Sequence, residues 1–319
     1  MAICGVESLV YGVEDLERCA RFFEDWGLES APESAGTEWR LPDGSSLLLR
    51  PIGDPALPAA LVPGSTVREA VWAVDSRHGL QGIAAELSRD REVTETAGTL
   101  HSVDDSGYAI AFRLSERKPV RAEPPQVNTV GRIGRKDERA RAALPYRARP
   151  QRIVHLVYWV PREIDAAMRF YVERLGFRLT ESVDGSGHFL RCASDSDHHN
   201  LFLNCRGDNF GFQHVAFEVR DIDEVMMCGQ YMERRGWKSH LGPGRHVVGS
   251  NVYWYFWCPA GGLAEVGCDI DFITDHWQPQ RHPSMPAGGS SWFVRQEEEG
   301  LRPGHGEWPQ WQPARLAPA

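Results

Sequence analysis

The feature that most constrains the fold of this chain is a unit of about fifty residues that recurs four times. Each copy reads as a strand, an amphipathic helix and further short strands, and the copies occupy residues 5–50, 68–115, 152–205 and 211–268. One unit of this size cannot bury its own apolar face, so neighbouring units must pack together. The repeat therefore predicts an internally duplicated α+β protein built from four βαβββ modules.

The hydrophobic period changes in the same way inside each module. In the first, residues 6–13 read as a strand, after which Leu16, Ala20 and Phe23 recur at helical spacing before Gly27, where a helix C-cap is expected. In the third module, a strand at residues 153–160 precedes four apolar residues on one helical face, namely Ile164, Met168, Tyr171 and Leu175. The shared order supports a common module structure.

The two pairs of modules are separated by a segment rich in Arg and Pro that has no apolar period. We predict an N-terminal two-module domain at residues 1–117, a linker at 118–151, and a C-terminal two-module domain at 152–275. Residues 276–319 form a tail rich in Pro, Gly and Trp. This tail is either floppy or a lid whose Trp292 and Phe293 close over a site, and the sequence leaves both open.

Composition excludes several classes of partner. The chain has 319 residues, enough for two domains, and a formal net charge of -9, which argues against a nucleic acid or an anionic membrane. No signal peptide is visible, and no apolar run approaches the roughly 18 residues needed to span a membrane. The seven cysteines show no C-x-x-C pair. We expect a cytoplasmic protein with reduced thiols and no nucleic-acid or membrane partner.

Overlaying the modules shows that the full set of metal-ligand residue types occurs only in the second domain. His155 aligns with Ser8, His214 aligns with Glu69, and Glu265 aligns with about Ile110. A lone strand histidine is more often a hydrogen-bonded core or surface residue than a ligand. Two imidazoles and one carboxylate at equivalent module positions, however, predict a metal site with open positions, as in non-haem Fe(II) oxygen chemistry.

Other polar residues fall near these three. His198 and His199 precede a strand that begins at about residue 200, and His246 and Tyr255 precede Glu265 by 19 and 10 residues. For His198 a solvated turn position is the favoured interpretation, whereas for His199 the sequence leaves the choice open. Tyr255 and Glu265 can reach one concave face if the hairpin between them keeps its register.

Taken together, these residues resemble the type I extradiol ring-cleavage dioxygenases of the vicinal oxygen chelate superfamily. The resemblance implies curved half-barrel sheets, an Fe(II) site, with Mn(II) as the alternative, and a homo-oligomer that acts on a small aromatic diol and O2. It assigns metal binding to three residues, His155, His214 and Glu265. It assigns catalysis and contact with the substrate oxygens to three more, His199, His246 and Tyr255.

The substrate wall is less distinctive. Trp254 is a candidate for contact with a flat apolar substrate, although a strand Trp is more often core. Arg191 is a candidate partner for a substrate carboxylate, although a solvated arginine is the more common finding. The alternatives are a hydroquinone dioxygenase, an isomerase, a thiol transferase, or a non-enzymatic protein that binds an aromatic drug.

Overall fold

The computed structural model describes residues 3–31, 37–121, 126–140, 147–161, 163–192, 196–297 and 300–303. Parts of the predicted linker, at 122–125 and 141–146, lie outside the described residues. So does the end of the predicted tail, at 304–319.

The N-terminal half forms one mixed sheet, which has eight strands in the described part of the chain. The strands are β1 (Ile3–Val13), β2 (Glu29–Ser30), β3 (Glu38–Arg40), β4 (Ser46–Pro51), β5 (Thr66–Val74), β6 (Thr94–Thr96), β7 (Thr99–Val103) and β8 (Ala109–Leu114). Their spatial order is β2-β3-β4-β1-β5-β8-β7-β6, so the first strands of the two modules pair at the centre. This pairing joins two modules into one sheet, as the repeat predicts.

The C-terminal half repeats this order. Its strands are β9 (Arg152–Trp159), β10 (Arg178–Val183), β11 (Gly187–Arg191), β12 (Ser196–Asp197), β13 (Leu201–Asn204), β14 (Gly211–Glu218), β15 (Ser239–His246), β16 (Val252–Trp257), β17 (Leu263–Cys268), β18 (Phe272–Ile273), β19 (Gln280–His282), β20 (Ser290–Glu297) and β21 (Gly300–Pro303). The central order β10-β11-β13-β9-β14-β17-β16-β15 matches the first sheet strand for strand. The predicted α+β fold of four modules is confirmed.

The segment predicted as a tail extends this sheet at both edges. β19 pairs with β10 in parallel, and β20 pairs with β15 in antiparallel orientation. Its described part therefore includes strands that pair with the sheet.

Each module contributes one helix in the described residues: α1 (Leu16–Trp26), α2 (Arg77–Leu87), α3 (Ile164–Arg169) and α4 (Ile222–Arg234). Asp15 caps α1, because its side chain accepts a hydrogen bond from the Arg18 backbone N–H, and Gly27 ends it at a φ of 101°. α3 is shorter than predicted, since a π-helical turn at Phe170–Arg174 continues it. No helix in the described ranges is long and apolar enough to cross a membrane.

Strand register tests the module overlay directly. Val71 is paired with both Ser8 and Ala111, and Ala216 is paired with both His155 and Glu265. The overlay of His155 on Ser8 therefore holds, whereas Glu265 aligns with Ala111, one residue from the predicted position. The first sheet carries no histidine or carboxylate at Ser8 and Ala111, so it lacks the residue set of the second.

The two halves share a buried boundary. The Tyr108 hydroxyl donates to the Trp159 carbonyl at 2.6 Å, and its ring stacks on Tyr158 with centroids 4.2 Å apart. The Tyr171 hydroxyl donates to Asp104 across the same boundary at 2.7 Å. None of the seven cysteines, all of which lie in the described residues, forms a disulfide.

Candidate functional site

Three adjacent strands bring the predicted metal ligands together. His155 on β9, His214 on β14 and Glu265 on β17 are all buried. The Nε2 atoms of the two histidines are 3.0 Å apart, and each lies 3.1 Å from Glu265 Oε2. The three donor atoms therefore form a nearly equilateral triangle.

This triangle fits one octahedral face around a divalent ion. The edge of an octahedron is √2 times its bond length, so metal–ligand bonds of about 2.1–2.2 Å give edges of about 3.0–3.1 Å. His214 Nδ1 contacts Gln213 Oε1, an acceptor that places the proton on Nδ1 and leaves Nε2 a lone pair. His155, His214 and Glu265 thus have the donor set and the spacing of a site that leaves three positions open.

Burial and mutual contact set the charges at the site. Burial by itself would raise the pKa of Glu265, but its hydrogen bonds with His155 and His214 outweigh burial and hold that pKa well below its usual range. Burial lowers the pKa of His214 to about 4, although Glu265 opposes the shift. A charged carboxylate and neutral imidazoles are the forms that bind a metal.

Glu265 has a further partner that the sequence analysis did not identify. Asn251, also buried, donates its side-chain N–H to Glu265 Oε1 at 2.8 Å. This bond leaves Oε2 as the oxygen that faces the two imidazoles. No periodic or motif signal marks Asn251 in the sequence, because it lies in the turn before β16.

His246 and Tyr255 form a connected pair beside the triangle. His246 Nδ1 lies 3.0 Å from the Gly289 carbonyl, which can only accept, so His246 Nε2 accepts from the Tyr255 hydroxyl at 2.9 Å. Tyr255 stands directly opposite Glu265 in the β16–β17 ladder, as predicted from the hairpin. Burial, and then the charge of Glu265, raises the pKa of Tyr255 well above its usual range, so Tyr255 remains a donor.

A cavity of about 460 Å³ opens over these side chains. Phe189 and Phe202 form one wall, with rings stacked 3.9 Å apart and nearly parallel. The lining residues are His155, Val157, Trp159, Ser186, Phe189, His199, Phe202, Asn204, Cys205, Arg206, Gln213, His214, His240, His246, Val248, Tyr255, Leu263, Met285, Gly288 and Gly289. The cavity therefore combines an apolar wall with a polar end at the candidate metal site.

The two adjacent histidines differ from their predicted environments. His199 lines the cavity, and its ring lies 4.1 Å from that of His155, centroid to centroid. Burial, and then the neighbouring imidazoles, lowers the pKa of His199 well below its usual range. His198 is fully buried, so its prediction as a solvated turn residue is wrong. The loop between β12 and β13 folds inward because the His198 backbone N–H donates to the Asp271 carbonyl.

The structure corrects both predicted substrate-wall residues. Trp254 is buried on the opposite face of β16, where its indole N–H donates to Ser239 Oγ. Arg191 is only 3% exposed, and its guanidinium contacts the Thr180 side chain and the Thr274 carbonyl. Neither side chain lines the cavity. Among the described arginines, the one that lines it is Arg206.

The part of the predicted tail that reaches the cavity differs from the predicted one. Met285, Gly288 and Gly289 of the former tail line the cavity. Trp292 is instead 42% exposed. Phe293 packs against a small buried cluster that includes Leu241 and Tyr253. The segment reaches the cavity through the turn at Pro286–Gly289 rather than through its aromatic pair.

The match to a known family model lies in the half that carries the site. Residues 152–261 match the family model of the Glyoxalase/Bleomycin resistance protein/Dioxygenase superfamily. Metapyrocatechase 2 of Cupriavidus necator is 35% identical over 127 residues, which are 40% of this chain and 39% of that protein. The iron-dependent extradiol dioxygenase of Rhodococcus jostii is 28% identical over 229 residues, 66% of this chain and 75% of that protein. The first match thus spans about two fifths of its relative's length.

Solved structures share the fold over nearly the whole chain. The Mn(II)-bound glyoxalase from Novosphingobium aromaticivorans has a TM-score of 0.71 at 21% identity, covering 91% of each chain. The halotolerant catechol dioxygenase BphC has a TM-score of 0.68 at 18% identity, covering 95% of this chain and 99% of its own. At these identities the likeness concerns the fold alone. The chain therefore has the vicinal oxygen chelate fold, its residues 152–261 match the model of the glyoxalase/bleomycin resistance protein/dioxygenase superfamily, and its sequence relatives include proteins named as extradiol dioxygenases.

Proposed function

We propose that this protein is an extradiol dioxygenase that cleaves a catechol-type ring with O2 in aromatic-compound catabolism. The observation that carries the proposal is the triangle of His155, His214 and Glu265 donor atoms with 3.0–3.1 Å edges at the polar end of an aromatic-walled cavity. His199, His246 and Tyr255 line that same cavity. An isomerase or a thiol transferase of this fold does not need these three.

In this proposal the ligands hold Fe(II), with Mn(II) as the alternative. A bound ion of this kind would gather the two diol oxygens and O2 and pass electrons between them. Both atoms of O2 enter the product, and the ring carbon–carbon bond beside the diol breaks. The product is a ring-opened semialdehyde or keto acid.

The side chains around the triangle have separate tasks. His199 is neutral and buried, so it can accept a proton from a diol hydroxyl and return it later. Tyr255 and His246, which are hydrogen-bonded to each other at 2.9 Å, would contact the substrate oxygens. Phe189 and Phe202 offer their faces to an apolar ring and keep water from it.

The size of the cavity favours a substituted diol. Pockets of about 300–1,000 Å³ bury ligands larger than a single ring, and this one measures about 460 Å³. We therefore expect a catechol with a second ring or an apolar chain to have a higher kcat/KM than catechol itself.

The test is anaerobic reconstitution with Fe(II) or Mn(II), followed by O2 uptake and absorbance with catechol, 3-methylcatechol, biphenyl-2,3-diol and hydroquinone. We expect stoichiometric O2 uptake and a yellow ring-opened product from a catechol. His155→Ala and Glu265→Ala should lose both metal binding and O2 uptake. Ser8→Ala, at the equivalent position of the first sheet, is the matched control and should retain both.

Three outcomes would overturn the proposal. Metal binding without O2 uptake for any diol would favour an isomerase or a thiol transferase, and uptake with hydroquinone alone would favour a hydroquinone dioxygenase. Failure to bind either metal would favour a non-enzymatic protein that binds aromatic compounds.

A further inference from the structure

Behind His199, a line of polar contacts leads away from the cavity. His198 Nδ1 lies 3.1 Å from His199 Nδ1, and His198 Nε2 lies 3.2 Å from Glu181 Oε1. The His198 side chain is fully buried, and Glu181 on β10 is 7% exposed. Neither residue lines the cavity, so neither touches a bound substrate there.

The order of donors and acceptors along this line follows from chemistry. A carboxylate oxygen can only accept, so His198 Nε2 carries a hydrogen. A neutral imidazole has one such hydrogen, which leaves a lone pair on His198 Nδ1. His199 Nδ1 must then donate to His198 Nδ1. The remaining nitrogen of His199, Nε2, is left with its lone pair.

The second oxygen of Glu181 has a partner of its own. Glu181 Oε2 contacts His282 Nε2 on β19, and the His282 side chain is 28% exposed whereas that of His198 is 0% exposed. Burial penalises a charge more strongly at His198 than at His282. On its other sides His198 meets the Phe189 ring and the backbone of Gly249, neither of which is charged.

We propose that Glu181 and His198 are positioning residues that fix the tautomer of His199, so that its Nε2 is held as a proton acceptor toward the cavity. The inference rests on the proposed function for its kinetic consequence, since Nε2 is the atom that would take the proton of a diol hydroxyl. It assigns a task to the segment at residues 280–282 as well. That segment supplies His282, which holds the second oxygen of Glu181.

The tautomer can be read without turnover. Two-bond ¹H–¹⁵N NMR of metal-free protein labelled with ¹⁵N-histidine distinguishes a protonated from an unprotonated ring nitrogen, and a His199→Asn sample assigns the signals. We expect His199 to be protonated at Nδ1 and unprotonated at Nε2. A His199 Nε2–H signal, or a doubly protonated His198, would overturn the inference.

Two isosteric variants separate positioning from packing. The amide oxygen of His198→Asn takes the place of Nδ1 and can still accept from His199, whereas the amide of His198→Gln reaches toward Glu181 and offers His199 no acceptor. We expect His198→Gln and Glu181→Leu to lower kcat about 10- to 100-fold, within the range of a general base. Their KM and metal affinity should stay within about threefold of wild type. His198→Asn should recover at least about a third of wild-type kcat.

Equal loss of kcat in His198→Asn and His198→Gln would reduce His198 to a packing residue. If the wild-type protein turns over no diol, the proposed function fails, and the NMR tautomer alone then decides this inference.

Discussion

A substitution at Asn251 tests the hydrogen bond that supports the carboxylate of the candidate metal ligand Glu265. Its side chain donates to Glu265 Oε1 at 2.8 Å and is 4% exposed. In Asn251→Leu the carboxylate loses this donor and can rotate, so we predict a metal affinity about 10- to 100-fold weaker. The measurement is anaerobic titration calorimetry with Mn(II) or Fe(II). Asn209→Leu, outside the cavity lining, is the control. An unchanged affinity in Asn251→Leu would show that His155 and His214 orient Glu265 without help.

Arg206 and Arg191 give opposite predictions for a carboxylated catechol. Arg206 is exposed and lines the cavity, whereas Arg191 is buried in contacts with the chain. We predict that Arg206→Gln raises KM for a carboxylated catechol about 2- to 5-fold and leaves KM for catechol nearly unchanged, because exposed charge pairs contribute about 0–1 kcal/mol. Steady-state O2 uptake with both substrates measures this ratio.

Arg191→Gln is the matched control for that experiment. It should lower the free energy of unfolding, since it leaves buried acceptors without a donor, and should leave the ratio of the two KM values unchanged. A ratio that responds to Arg191 and not to Arg206 would restore the interpretation made from the sequence.

The sequence is most informative about site residues that occupy repeated positions in the modules. His155 and His214 could be found because each stands where a module of the first half has a different residue, and strand register bears out that alignment. Asn251 and Glu181 could not be found in this way. Their contacts join segments 14 and 17 residues apart through turns and bulges, and no period in the sequence encodes such contacts.

At the scale of the elements, the face of a strand decides the role of its aromatic residues. On β16, Tyr253 and Tyr255 point toward the side of His246, whereas Trp254 and Phe256 point toward the core. Trp254 was a candidate for substrate contact because sequence alone does not say which alternating set faces the cavity. The hydrogen bond between His246 and Tyr255 identifies that set.

The packing of α4 on β16 yields a prediction that runs against helix propensity. A Cβ at Gly229 would lie 2.0 Å from Trp254 Cε3. Ala is ordinarily favoured over Gly inside a helix by about 1 kcal/mol. We predict that Gly229→Ala instead lowers the free energy of unfolding by about 1–3 kcal/mol, because the ring or the helix must shift. Denaturant unfolding measures the change.

Gln230, the next residue of α4, is exposed and serves as the control. Gln230→Ala should change the free energy of unfolding by less than about 0.5 kcal/mol. A stabilised Gly229→Ala would mean that Trp254 can rotate away at no cost.

At the scale of the whole molecule, the duplicated order of strands could be predicted from the sequence. The two halves differ chemically because a few aligned side chains differ. Both sheets place the first strands of their two modules at the centre, and that arrangement brings residues from three adjacent strands to one face. In the first sheet the aligned residues are Ser8, Glu69 and Ala111, and Glu69 instead contacts His101 at 2.9 Å. Strands β19, β20 and β21 are additions at the two ends of the second sheet that the repeat does not encode.

The boundary between the halves contains a carboxyl group whose ionisation links stability to pH. Asp104, in the turn before β8, accepts hydrogen bonds from the Ser106 and Tyr108 backbone N–H groups and from the Tyr171 hydroxyl. Burial outweighs these bonds and raises the pKa of Asp104 from 3.8 to about 6. The folded state therefore holds this proton more tightly than the unfolded state does.

The sign of the effect follows from that difference. A carboxyl whose pKa is raised by folding contributes stability that is fully present below its unfolded pKa and is lost as pH rises through about 6. The full contribution is about 3 kcal/mol, and roughly half of it is lost between about pH 5 and about pH 8.

Asp104→Asn keeps the shape and the acceptor oxygen but has no proton to lose. We predict that, relative to Asp104→Asn, the wild-type protein loses about 1.5 kcal/mol of unfolding free energy over that interval. Denaturant unfolding at both pH values measures this, and Asp105→Asn, on the exposed neighbour that pairs with Arg91, should follow the wild-type pH dependence. Parallel pH dependence in the wild type and Asp104→Asn would mean that Asp104 stays ionised in the folded state, held by the Tyr171 hydroxyl across the boundary.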